Sequence, residues 1–295
     1  MGRGVNNNKN TDQAAVTWAD QTLHLGWAAI DGRRPDEAQR VAREVLNRHP
    51  QHAGAQHLLG LALLIQQRPL EAVGPLAEAA RDTVDPLLET HYALALRDVG
   101  RKDESIDWLK RAMSRKPVFA AAFHELGLIF CGMRRYDDAE VVLKQGIALA
   151  PGVAHLSVEL GGVYICRAEP ANAKAAFARA LALSPDNVRA LHGCGTAFLF
   201  EGDFESAAEQ FRQVLARAPE HQRAWLDLAH CLLELGRFEA GVTELRAILR
   251  YAPHHYGTAL KILASSRCGR LWLRPSMAAS FLQIIDNVPY ATGSS

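Results

Sequence analysis

A chain of 295 residues, 48% of them hydrophobic, has enough apolar material for one large core or two ordinary ones, so disorder is not its default state. Its 33 Lys and Arg against 32 Asp and Glu leave a net charge of +1, and without a basic excess to neutralise phosphates a nucleic-acid role gains no support. The five cysteines, Cys131, Cys166, Cys194, Cys231 and Cys268, are odd in number and form no CxxC pair, which argues against a disulfide framework or a zinc knuckle and fits a reducing compartment.

The opening stretch MGRGVNNNKNTDQ is polar, lacks the apolar segment of a secretory signal, and carries Asn6 where a myristoylation signal would need Ser or Thr. Residues 1–18 are expected to be disordered. No run of about twenty apolar residues occurs, so no membrane span is expected and the chain reads as cytoplasmic.

From residue 19 onward the chain is periodic. Pro117, Pro151, Pro185, Pro219 and Pro253 fall 34 residues apart, and Pro50 lies 67 before Pro117. Gly26, Gly60, Gly127, Gly161 and Gly195 share this period, as do Ala38, Ala72, Ala139, Ala173 and Ala207. Within 188–221, apolar residues recur at steps of three and four on both sides of a central Gly-Asp turn, which predicts two amphipathic helices. The proline closes each unit because it cannot continue a helix, and the small residues let the two helices approach at their crossing.

The motifs Leu25-Gly26, Ala38 and Pro50, then Leu126-Gly127, Ala139, Leu143 and Pro151, then Leu160-Gly161, Ala173, Phe177 and Pro185 resemble those of the tetratricopeptide repeat family. The resemblance implies an all-α fold: a right-handed superhelical solenoid of antiparallel helix pairs. Seven units cover 19–52, 53–85, 86–119, 120–153, 154–187, 188–221 and 222–255, followed by capping or docking helices over 256–288 and a polar tail over 289–295. The second unit is one residue short and has Val84 in place of the closing proline; the third has Tyr92-Ala93 for Leu-Gly and Ser105 for Ala. A local irregularity near 82–90 is expected.

The stretch HGCG at 192–195 pairs a histidine with a cysteine, but residues two apart on a helix point about 200° from one another, so His192 and Cys194 cannot form a local dyad. Cys194 holds the slot filled by Leu25, Leu59, Leu126, Leu160 and Leu228, which reads as a core position, and free cysteine behaves there as a small hydrophobe.

In the family, the second, fifth, ninth, twelfth and thirteenth residues of each unit usually line a concave groove. Carried onto this sequence, the fifth slots are Leu23, His57, Thr90, His124, Val158, His192 and Leu226, and ninth slots include Trp27, Leu61, Leu94, Leu128, Thr196 and His230. Leu64, Ile165 and Leu199 are among the twelfth slots, and Arg189 and Arg223 occupy second slots of neighbouring units. The resulting groove is apolar with interspersed histidines, as expected for a protein or peptide partner with apolar anchors. The two arginines are placed to pair with one acidic group, or are simply solvated. Chaperone adaptors of the family clamp an acidic C-terminal carboxylate with Lys and Asn, whereas Leu23, His57 and His124 stand here where a Lys would be needed.

No cofactor or metal is expected. His57, His124 and His192 come from alternate units, spread over some 40 Å if packed helices lie about 10 Å apart, and cannot share an ion that bonds near 2 Å. The pair His155 and His192 is the one combination worth inspecting. HELGL at 124–128 is not HExxH, and neither a phosphate loop nor GxSxG is present.

After Pro253 the repeat decays. Residues 256–270 read as a first helix, and 271–289 as a second one starting near Pro275-Ser276, with Met277, Phe281, Ile284 and Ile285 on one face and Trp272 beside Arg274 at its approach. The functional expectation is a non-catalytic adaptor. The alternatives are a regulatory or substrate-recruiting module of a glycosyltransferase, sulfotransferase or hydroxylase, and self-association through the C-terminal helix.

Overall fold

The structure, a computed structural model, describes residues 6–265, and all regular elements among them are helices. They fall into two compact units that meet in sequence between Ala150 and Pro151. The first unit holds α1 (Asn6–Asp31), α2 (Pro35–Arg48), α3 (Ala53–Ile65), α4 (Pro69–Asp82), α5 (Pro86–Asp98), α6 (Lys102–Met113), α7 (Ala120–Gly132) and α8 (Tyr136–Leu149). The second holds α9 (Ala154–Cys166), α10 (Pro170–Leu183), α11 (Val188–Glu201), α12 (Phe204–Arg217), α13 (Gln222–Glu234), α14 (Phe238–Tyr251), a 3₁₀ turn at Pro253–His255 and α15 (Tyr256–Ser265). Within each unit, consecutive helices pack as hairpins, and the second helices α2, α4, α6, α10 and α12 also pack on the first helix that follows: a solenoid of helix pairs.

The hairpins close on the small-residue columns. A Cβ added to Gly127 would come within 2.7 Å of Leu143, one on Gly161 within 2.5 Å of Phe177, and one on Gly195 within 2.6 Å of Phe211; Gly60 stands likewise against Leu76. Those partners are buried, and each such Leu or Phe contributes about 1.5–3 kcal/mol when fully removed from water. Glycine thus serves here by lacking a side chain, with the apolar partner filling the space.

Each first helix ends on a residue in the left-handed region: Arg33, Gln67, Gly100, Arg134, Ala168, Gly202 and Gly236, with φ between 56° and 86°. The amide of this residue bonds back into the last turn, as in Gly202 to Leu199 at 3.1 Å, and so closes the helix end before the second helix begins. Pro35, Pro69 and Pro170 then open second helices, where a missing N–H costs nothing.

The irregular third unit compensates internally. Ser105, fully buried in the usual Ala slot, donates its hydroxyl to the carbonyl of Ala93 at 2.7 Å, and Tyr92 packs edge-on to Trp108 at 5.0 Å. Between α4 and α5 only Thr83, Val84 and Asp85 intervene; Val84 is exposed, and the Asp85 carboxylate accepts from Leu87 N–H at 2.9 Å to start α5.

Two sequence expectations are corrected. Helix α1 begins at Asn6, inside the stretch 1–18 read as disordered; no Gly or Pro lies between Val5 and Leu25 to interrupt it. Leu25, read as core, is 65% exposed, whereas Leu126, Leu160, Cys194 and Leu228 in the same slot are buried. Leu126, Cys194 and Leu228 lie on helices packed against the second helix of the preceding hairpin, and no described helix precedes α1. At the other end, α15 covers most of the helix expected over 256–270 and buries Ala259 and Leu263 against the α13–α14 hairpin. The expected helix over 271–289, with Trp272, Arg274, Met277, Phe281, Ile284 and Ile285, together with Cys268 and the tail 289–295, lies outside the described residues.

Candidate functional site

The first helices carry the candidate residues, and the two units present them separately. In the first unit, His57 on α3 is buried, with its Nε2 2.8 Å from Nδ1 of His91 on α5 and its ring edge-on to Trp27 at 5.1 Å. Burial, followed by the charge of His91, lowers the His57 pKa to about 3, and burial lowers that of His91 to about 4. His57 is therefore an internal, neutral member of a ring pair rather than a surface ligand. Leu61, Leu64, Leu94 and Leu128 are half-buried and leave apolar surface on the first-helix face. Beside them, His124 contacts Glu125 at 3.3 Å and Arg97 reaches the same carboxylate at 2.6 Å. Burial opposes the charge on Glu125, but the bonds from His124 and Arg97 outweigh it and hold its pKa below the usual carboxylate range.

In the second unit the same face opens into a cleft of about 210 Å³ between α9 and α11. Its origin lies in the pair Gly161-Gly162. Successive helical residues point about 100° apart, so Gly161 faces Phe177 on α10 while Gly162 faces the cleft. A Cβ built on Gly162 would meet no atom within 4 Å. Gly162 occupies the ninth slot of its unit, where other units place Trp27, Leu61, Leu94, Leu128, Thr196 and His230. Gly193 also borders the cleft, but the space its side chain would take is filled by the tip of the Phe177 ring, 2.3 Å from where a Cβ would stand, and that ring is buried.

Val158, Ile165 and Phe177 supply apolar wall, and Arg189, His192 and Thr196 the polar rim. Of these, Val158 is 4% exposed and forms part of the floor. Arg189 meets Glu159 at 2.7 Å, Arg223 meets Asp227 at 3.1 Å, and His192 Nε2 meets that same Asp227 at 3.1 Å. Each of the two arginines thus already pairs with a carboxylate of its own chain. The sequence reading named neither Glu159 nor Asp227; Asp227 is the i, i+4 partner of Arg223 and could have been found by that spacing, whereas Glu159 lies on α9 and meets Arg189 of α11 only through the packing of successive first helices. Leu199 is half-buried on α11 beyond the cleft, and His230 lies 3.7 Å from Glu234 on the next first helix.

The chemistry at HGCG is that of a core. Cys194 is buried and its thiol pKa is pushed up to about 11; Cys231 is fully buried and pushed up to about 12, in both cases mainly by burial. Among the described residues no group of three or more His, Cys, Asp or Glu is placed to hold a metal ion, the surroundings of His155 and His192 included, and no helix is long and apolar enough to cross a membrane.

Two tetratricopeptide repeat models match the chain, over residues 23–86 and 198–264. No curated protein matches it. Among solved structures, pilF of Pseudomonas aeruginosa is similar at 19% identity, over 73% of this chain and 96% of that one, with a TM-score of 0.62. The C-terminal part of a TPR repeat-containing protein from Cytophaga hutchinsonii is similar at 14% identity, over 82% and 99%, with a TM-score of 0.63. A chain of the APC/C hetero-tetramer Cut9–Hcn1 is similar at 16% identity, over 88% and 56%, with a TM-score of 0.63. At these identities the likeness is one of fold.

Proposed function

We propose that this tetratricopeptide repeat protein is a non-catalytic adaptor that holds an extended or helical segment of a protein partner against its first helices. The fold is that of protein-interaction repeats in general. The observation that carries the finer reading is the cleft on the first-helix face of the second unit, lined by Val158, Ile165, Arg189, His192 and Thr196. Concave, mostly apolar openings with a few polar groups at the rim are where proteins take up ligand side chains. The half-buried Leu61, Leu94 and Leu128 extend the same character to the first unit.

The test is affinity capture from the native host, comparing the intact chain with a Leu128→Glu, His124→Glu variant and a Thr196→Glu variant of unchanged helicity. Loss of the same retained protein from both variants is the expected result. Equal recovery from all three would overturn the first-helix reading and move the partner surface to the second helices.

A further inference from the structure

The cleft in the second unit is small and specific enough to say what enters it. Pockets for drug-sized molecules and cofactors span about 300–1,000 Å³, whereas an apolar cavity of about 150 Å³ already accepts benzene. At about 210 Å³ the cleft suits one ring-bearing side chain rather than a free metabolite. Its open floor is backbone at Gly162 beside Val158 and Ile165, with the buried Phe177 ring behind them, a mostly apolar surface against which a flat ring packs.

The charges beside the cleft balance in number but are layered in height. The carboxylates of Glu159 and Asp227 lie low, with side chains 10% and 11% exposed, while the guanidinium groups of Arg189 and Arg223 stand above them at 67% and 71%. Arg189 meets its acid through Nη1 and Arg223 through Nε, and a guanidinium carries five N–H donors, so each can take a further carboxylate. An approaching chain therefore meets positive groups first.

We infer that this cleft is a socket for a single aromatic side chain of an acidic partner segment, its ring filling the open space at Gly162 and its flanking carboxylates meeting Arg189 and Arg223. This rests on the adaptor reading and adds the partner's chemistry. The feature that creates the socket is the absent side chain at Gly162; a leucine there projects into the opening without removing a rim charge.

Random dodecapeptides displayed on phage and selected on the immobilised full-length chain, with binders of Gly162→Leu subtracted, test it directly. The expected enrichment is for Phe, Tyr or Trp with Asp or Glu within about three positions, the reach of a short extended segment. The synthetic form of an enriched peptide should bind Gly162→Leu at least about tenfold more weakly, and Arg189→Glu about fivefold more weakly at low salt, the second difference shrinking as salt rises. Gly162→Ala, which adds one methyl, should give an intermediate loss and guards against misfolding of the larger variant. No enrichment, enrichment of basic or ring-free peptides, or equal binding to Gly162→Leu would overturn the proposal. So would a mass that grows with concentration in the intact chain and not in Gly162→Leu, which would give the socket to a second copy. Host-partner capture lost in the Leu128→Glu, His124→Glu variant but kept in Gly162→Leu would retain the adaptor and remove the socket.

Discussion

His57 Nε2 lies 2.8 Å from His91 Nδ1, and a bond between them needs one ring to donate a proton and the other to keep a lone pair. A pair with both rings charged has no acceptor. Burial holds both rings neutral, with pKa values of about 3 and about 4 against an ordinary 6.5, and Asp85 and Glu125 only partly offset it at His91. Since both folded values are depressed, the contribution to stability is complete above pH 6.5 and is lost as pH falls from there toward 4. The slope approaches about 1.4 kcal/mol per pH unit for each ring. Thermal midpoints between neutral pH and mild acid should fall more steeply for the intact chain than for a His57→Gln, His91→Gln variant; parallel profiles would show that the pair does not carry this dependence.

Gly161 and Gly162 are neighbours with opposite predicted responses to the same change. Gly162→Ala meets no atom within 4 Å and should stabilise the second unit by about 0.5–1 kcal/mol through helix propensity. Gly161→Ala drives a methyl to 2.5 Å from the Phe177 ring and should destabilise it by about 1–3 kcal/mol. Denaturant midpoints of the two variants report the difference in sign.

The left-handed turn after α9 is occupied by Ala168 at φ 56°, a conformation in which a Cβ is strained. Ala168→Gly should raise stability by about 0.5–1 kcal/mol, the relief exceeding the added freedom of the unfolded chain. The converse change Gly202→Ala should lower it by about 1 kcal/mol, because no side-chain contact within 4 Å stands to be gained there. Equal and opposite shifts in urea midpoint would identify backbone conformation as the cause.

Thiol labelling at mildly alkaline pH should divide the cysteines by burial. Cys166 is exposed and should label rapidly, whereas Cys194 and Cys231, with pKa values pushed to about 11 and about 12, should label only at the rate of global unfolding. Mass spectrometry of the labelled peptides assigns each site, and rapid labelling of Cys194 would contradict its placement in the core.

Much of the architecture is legible because hairpin closure depends on residue size. A glycine that must sit under Leu143 or Phe211 leaves a mark at a fixed period, and so does a proline that stops a helix. The left-handed turns were legible only where glycine occupies them: Arg33, Gln67, Arg134 and Ala168 adopt the same conformation under compulsion from both flanking helices, and their identity does not betray it. The candidate site was read from side chains that are present, which found Arg189, His192 and Thr196 at the rim. It missed Gly162, whose contribution is empty space, and it placed His57 at a surface when adjacent helices bury it against His91. Leu25 shows the limit of arguing from a column, since a slot is buried only where a neighbouring repeat covers it.

The vacancy beside Gly162 also bears on how such a protein can change its preferences over time. Every glycine codon is one base from an alanine codon and one from a valine codon, and nothing within 4 Å of this position would have to move to admit the methyl. One inherited substitution can therefore shrink the opening while strengthening the helix around it. Retuning what this face accepts would then require no intermediate that folds poorly, whereas the neighbouring Gly161 is locked by the ring it covers.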